Sequence, residues 1–184
     1  MKTFSPAYLK LLEEQHQNKP DFGVSSLEYA PMVAELINAN NISTVLDYGA
    51  GEGRLQQAVQ PYLNHDVTMQ MYDPAVPTFS ERPQAQQMVC CINVLQCVEP
   101  EYIDSVLDDL KNLTGEMAYF TIPTGPADMD LSDGRNAALT QQPPEWWLPR
   151  LMERFKLWYF SRVPGGFVVV LEAMDRKPAG SSVQ

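Results

Sequence analysis

The apolar positions of this chain change rhythm along its length. Over Pro6 to about His16, Tyr8, Leu9, Leu11 and Leu12 recur at helical spacing. A second helix is predicted from Leu27 to Asn38, with Met32, Val33, Leu36 and Ile37 on one face. Pro31 is expected in its first turn, where a missing N–H costs little. Between the two, Asn18 to Ser25 contains Lys-Pro-Asp-Phe-Gly and reads as a loop. From Thr44 onward short apolar runs alternate with helical patterns. Strands are predicted at Thr44 to Asp47, Val67 to Tyr72, Met88 to Asn93 and Glu116 to Ile122. Helices are predicted at Arg54 to about Tyr62 and at Pro100 to Leu113, the latter carrying Ile103, Val106, Leu107, Leu110 and Leu113. Glu145 to Phe155 reads as a helix broken or bent near Pro149. Leu157 to Val163 and Phe167 to Ala173 flank Pro164-Gly165-Gly166 and should form an antiparallel hairpin.

Strands that alternate with helices imply an α/β fold, a Rossmann-like and mostly parallel sheet with helices on both faces. The stretch from Asp73 to Met88 holds Pro74, Pro77 and Pro83 but no apolar strand with its own helix. A shortened third-strand region and about six strands are therefore expected. With 184 residues the chain suits one domain over 1–175, with the N-terminal helices in 1–40, followed by a mobile tail over 176–184.

Residues 45 to 54 carry the most chemistry: Val-Leu-Asp-Tyr-Gly-Ala-Gly-Glu-Gly-Arg. A strand ends in Asp47, and Gly49, Gly51 and Gly53 follow, so the backbone can turn sharply and a ligand can approach closely. A carboxylate before such a loop would repel a pyrophosphate but suits a positively charged ligand without phosphate, such as S-adenosylmethionine (SAM). A nicotinamide dinucleotide site would read Gly-x-Gly-x-x-Gly; here the third glycine comes one residue early. Asp73 ends the next strand 20 residues beyond Gly53, a spacing at which an acid can take both hydroxyls of a ribose. In open α/β sheets ligands sit beyond the carboxyl ends of the strands, so Asp47, Tyr48, Gly49, Ala50, Gly51, Asp73, Pro74 and Asn93 are the candidate cofactor residues.

Bulk properties narrow the partners. The formal net charge of −10 disfavours a nucleic-acid substrate. Three cysteines, two of them adjacent as Cys90-Cys91, do not form a disulfide framework, so a reducing, cytoplasmic setting is expected. There is no membrane-length apolar run, no signal-peptide pattern and no metal-ligand spacing. A homo- or hetero-oligomer is left open.

With these motifs the chain resembles class I SAM-dependent methyltransferases from Phe22 to Ala173. More narrowly, it resembles a group of small, little-characterised bacterial and phage methyltransferase-like proteins. The narrower match rests on Phe22-Gly23-Val24-Ser25-Ser26, Leu46 to Gly51, Tyr72-Asp73-Pro74, Val98-Glu99-Pro100-Glu101, Asp133-Gly134-Arg135-Asn136 and Pro143-Pro144-Glu145-Trp146-Trp147. The resemblance implies that Asp47, Gly49, Gly51 and Asp73 hold SAM. It also exposes departures. Where relatives often read Asp-Val-Leu-Glu-His, this chain reads Asn93-Val94-Leu95-Gln96-Cys97, and Ala138 stands where a histidine is expected. Any base or metal ligand that relatives carry there is absent.

For the acceptor, Thr121 to Asn136 is a long loop after a strand end, and such loops are often functional. Thr124, Arg135, Asn136 and Trp146 are the candidate acceptor-binding residues, with Arg135 suited to an anion. The competing reading pairs Arg135 with Asp133 or Glu145 and leaves the tryptophans to packing. His16 and His65 read as surface residues, and Cys97 as a nucleophile lacks the usual preceding proline. The expected function is methyl transfer from SAM to a small molecule or peptide side chain. The alternatives are a catalytically weak SAM-binding regulatory or scaffolding subunit, and an enzyme that cleaves SAM.

Overall fold

The computed structural model describes residues 2–18 and 26–175. The expected loop over 18–25 and the tail over 176–184 therefore fall almost wholly outside the described residues. Two helices, α1 (Pro6–Asn18) and α2 (Ser26–Asn40), precede six strands: β1 (Thr44–Tyr48), β2 (Thr68–Tyr72), β3 (Gln86–Ile92), β4 (Thr114–Pro123), β5 (Phe155–Val163) and β6 (Gly166–Ala173). Between them lie α3 (Arg54–Val59), α4 (Ile103–Leu113) and α5 (Pro144–Met152). The strands form one sheet in the order β2-β1-β3-β4-β6-β5. The first four are parallel, and β6 runs antiparallel to both β4 and β5.

Each face of the sheet has its own core. One joins Val33, Ile37 and Leu55 of α2 and α3 to Val45, Met88, Cys90 and Val170. The other joins Ile103, Leu107, Leu110, Trp147 and Leu151 of α4 and α5 to Leu46, Val89, Phe120 and Val169. β3 contributes to both cores, which is why it reads as an unbroken apolar run. The predicted face of α4 is the one it buries. Burial also raises the Cys90 and Cys91 thiols well above their ordinary range, so they remain neutral strand side chains.

Three local readings change. α2 begins at Ser26, which moves Pro31 into the second turn, where its missing N–H removes the helical bond to the Leu27 carbonyl. α5 runs through Pro149 without interruption; Arg154 fastens its end by donating to Asp108 (2.6 Å) and Asp104 (3.2 Å) of α4. The turn between β5 and β6 has only Pro164 and Gly165 between its paired ends, with φ of +76° at Gly165, as a type II turn requires.

Beyond β2 the sheet stops. Residues 73–85 form a loop with a short 3-10 turn at Pro77–Phe79, as the three prolines imply. An ion pair ties the loop to α4. The Arg82 guanidinium donates to both oxygens of Asp109, an α4 residue 1% exposed, and the Tyr48 hydroxyl donates to the same carboxylate at 3.2 Å. Removing one partner of such a pair leaves an uncompensated buried charge. Arg82→Ala should cost roughly 3 kcal/mol in a urea melt. Adding Asp109→Asn to it should recover part of that loss, and a double variant no more stable than Arg82→Ala would show that the carboxylate was not the source.

Candidate functional site

The strand order reverses at β1: β2 lies on one side of it and β3 on the other, so the loops leaving β1 and β3 part and open a crevice at the carboxyl edge. Gly49 and Ala50 both donate their N–H to the Tyr72 carbonyl, at 2.7 and 3.0 Å, which folds the glycine loop over the end of β2. Gly49 has φ of +78°, and a Cβ there would lie 2.3 Å from Val94. Its glycine is thus required both by the turn and by close packing.

Asp47 and Asp73 reach this crevice from adjacent strands. Asp73 accepts the Gly51 N–H at 3.0 Å on one oxygen and the Ala75 N–H at 3.0 Å on the other. Asp47 is 3% exposed, and no hydrogen bond to its carboxylate is seen among the described residues. Burial, and then the nearby Asp73, push its carboxyl up to about 7. Two acids in one crevice favour a ligand that brings positive charge and hydroxyl donors.

A cavity of about 580 Å³ opens from these groups, within the range of small-molecule sites. All eight cofactor candidates line it: Asp47, Tyr48, Gly49, Ala50, Gly51, Asp73, Pro74 and Asn93. Asn93 takes the left-handed conformation at φ +56°, and its side-chain oxygen accepts from the Thr121 hydroxyl at 2.6 Å. Tyr48 sends its hydroxyl away toward Asp109.

The other wall comes from the N-terminal helix. α1 lies across the cavity and contributes Tyr8, Leu12 and His16, which stand four residues apart on one face of the helix. That spacing was the available signal. Glu99 docks the helix by accepting the Ser5 N–H at 2.8 Å and the Ser5 hydroxyl at 2.7 Å, and the Tyr8 hydroxyl donates to the Cys97 carbonyl at 2.5 Å. His16 is therefore a cavity residue and not a surface one, with Nε2 3.8 Å from Asp73. Gln96, Cys97 and Ala138, which with Asn93 depart from the resembled family's pattern, line the cavity as well. Burial pushes the Cys97 thiol up to about 12, which leaves no thiolate to act as a nucleophile.

The acceptor candidates sit elsewhere. Arg135 donates to Asp133 at 2.7 Å on the surface, the competing reading of that residue. Asn136 binds its own loop, donating to the carbonyls of Ala127 and Met129 and accepting the Ala127 and Ala138 N–H groups. Trp146 stacks under the Arg150 guanidinium at 3.7 Å and against Trp147. The Thr124 hydroxyl donates to the Gly165 carbonyl at 3.3 Å. None of the four lines the cavity; the neighbouring Pro123, Gly125, Ala127 and Met129 do. Among the described residues no group of three or more His, Cys, Asp and Glu side chains is placed to hold a metal, and no helix is long and apolar enough to cross a membrane.

Solved structures share this architecture. A 1,6-didemethyltoxoflavin N1-methyltransferase from Burkholderia thailandensis, solved with bound 1,6-didemethyltoxoflavin and S-adenosylhomocysteine, is 16% identical; the match covers 95% of this chain and 93% of that one, with a TM-score of 0.66. Magnesium protoporphyrin IX methyltransferase from Synechocystis PCC 6803, solved with SAM, is 12% identical over 84% of this chain and 81% of that one, with a TM-score of 0.56. An O-methyltransferase family protein from Burkholderia thailandensis is 14% identical, with a TM-score of 0.62; the match covers 80% of this chain but only 55% of that protein. No protein-family model and no curated protein matches the chain. At these identities the likeness is one of fold: the chain has the class I methyltransferase fold, with the strand beyond β2 replaced by a loop.

The raised Asp47 carboxyl has a consequence for stability. A carboxyl at about 7 in the folded chain and near 3.8 when unfolded makes the folded state bind the extra proton between those values. Its contribution to stability is present below about 3.8 and is lost as pH rises through about 7. In thermal melts from pH 5 to 8, Asp47→Asn should gain stability relative to wild type as pH rises. Parallel curves for the two proteins would count against the buried charge.

Proposed function

We propose that the chain is a SAM-dependent methyltransferase acting on a small molecule. The observation that carries this reading is the pair of carboxylates, Asp47 and Asp73, at the ends of adjacent strands with the glycine loop between them. The residues present fit SAM: Asp47 would face the ammonium of its methionine part, Asp73 the ribose hydroxyls, and the backbone at Gly49 to Gly51 the space between. The cofactor supplies a methyl group already activated on a sulfonium sulfur.

The chain's own work is then positioning and exclusion of water. α1 and the loop over 124–139 pack together through Tyr8, Leu131 and Ala137, with Leu12 and Met129 against them, and close the cavity from one side. His16 stands at Asp73, on the cofactor side, and Cys97 holds its proton, so neither is placed as a base for the acceptor. The acceptor must bring a nucleophile that needs no strong base, such as a neutral amine or ring nitrogen, or an acidic hydroxyl. A scaffolding role would be favoured by a tryptophan plugging the cavity mouth; Trp147 is buried in the core and Trp146 does not line the cavity, which supports the enzyme reading.

An ammonium held at Asp47 favours the ionised carboxylate and lowers its pKa from about 7. Calorimetric titration with SAM at pH 6 in buffers of different ionisation enthalpy should therefore show proton release on binding. The release should vanish in Asp47→Asn. Asp73→Ala should weaken S-adenosylhomocysteine binding about tenfold or more, by the loss of charge-assisted hydrogen bonds. Failure of wild-type protein to bind either nucleoside at millimolar concentration would overturn the proposal.

A further inference from the structure

The acceptor half of the cavity has its own chemistry. Its walls are apolar: Phe4 and Leu12 from the N-terminal region, Val94 and Val98 after β3, and Met129 and Ala138 from the loop opposite. No lysine or arginine of the described residues lines it. The ionisable side chains on the wall are His16, Asp47, Tyr48 and Asp73 at the cofactor end, Asp128, Cys97 and Tyr8; burial raises the thiol and both phenols, which stay neutral. An anionic acceptor would lose its hydration, meet carboxylates, and find no cationic side chain but His16, beside Asp73.

One buried polar group in this half is unsatisfied. Gln96 lines the cavity and is 6% exposed. Its Nε2 donates to the Asn93 carbonyl at 2.7 Å, which fixes the other end of the amide as the acceptor oxygen. That oxygen meets no donor among the described residues. The residue is well anchored: its carbonyl accepts the Thr140 N–H at 2.9 Å, and the Thr140 hydroxyl donates to the Val98 carbonyl at 2.8 Å. A buried acceptor held in place without a donor is costly unless something else supplies one.

We propose that the methyl acceptor is an uncharged, largely apolar molecule of one or two rings that presents an N–H or O–H to the side-chain oxygen of Gln96. This rests on the methyltransferase reading above and deepens it. Gln96 is the specificity determinant: turning its terminal amide toward the ligand releases the 2.7 Å bond to the Asn93 carbonyl, so only a ligand that donates to the oxygen offsets that loss, and an analogue without the donor leaves the oxygen unpaired. Ala138 lines the same cavity with only a methyl group.

The test uses full-length protein saturated with S-adenosylhomocysteine and three matched probes: 2-naphthol, 2-methoxynaphthalene, which has no donor, and 6-hydroxy-2-naphthoate, which carries a negative charge. Binding is read by calorimetry or by saturation-transfer NMR. 2-Naphthol should bind about tenfold tighter than either of the others. Gln96→Met should retain S-adenosylhomocysteine binding, which reports the fold, and should bring the naphthol and methoxynaphthalene affinities together. The inference is overturned if the naphthoate binds best, if wild type does not separate the first two probes, if Gln96→Met still separates them, or if none of the three binds. Loss of S-adenosylhomocysteine binding by wild type would overturn the methyltransferase reading itself, and this inference with it.

Discussion

Everything at the carboxyl edge of the sheet depends on holding two carboxylates in one crevice. Parallel pairing of β1 with β2 sets Tyr48 beside Tyr72, and so delivers Asp47 and Asp73 to neighbouring positions. Asp73 is stabilised by two backbone N–H groups. Asp47 has no such help and lies under the glycine loop, so its proton is held up to about 7. A site that keeps an acid partly neutral in this way is poised for a cation, whose arrival makes ionisation favourable. The positive φ values at Gly49 and Gly51 let the loop bend over the end of β2 and leave backbone, not side chain, against the cavity.

The rest of the molecule solves two problems that this edge creates. Without a further strand, β2 would be an open edge beside the site, and open strand edges invite pairing with other chains. The loop over 73–85 covers that side and is tied down by Arg82 to Asp109, which itself sits within the α4 core. The second problem is water. α1 crosses the cavity and is docked at Glu99 and Cys97, while the loop over 124–139 is folded on itself by Asn136. Asn136 thus shapes a loop that lines the cavity without lining it itself. An asparagine in a long loop signals hydrogen bonding, but its sequence does not say whether the partner is ligand or backbone.

Much of the fold could be read because its signals are local. α4 announces itself by five apolar residues at helical spacing, β3 by an unbroken apolar run, and the final hairpin by Pro164-Gly165 between two β-prone segments. The glycine loop and its two acids could be read for the same reason: a strand end, the turn after it and the acid closing the next strand lie within 47–73. The opposite wall of the cavity is different in kind. Ser5 meets Glu99 across 94 positions, Tyr8 meets Cys97 across 89, and Gln15 meets Met129 across 114. No spacing rule spans such distances. His16 therefore reads as a surface residue, and Arg135 as an anion clamp, until α1 and the loop are set in place.

By itself the sequence determined the alternation of elements, the missing strand beyond β2 and the glycine loop with its two acids, because each depends on residues close together in the chain and on backbone preferences that act locally. The tertiary structure alone decided what faces those acids. It turned Tyr8, Leu12 and His16 inward, sent Arg135 and Trp146 to partners outside the cavity, and left Gln96 buried with one amide oxygen unpaired. Those outcomes follow from which apolar surfaces remained to be covered once the sheet had formed, a competition among distant segments that no local pattern records.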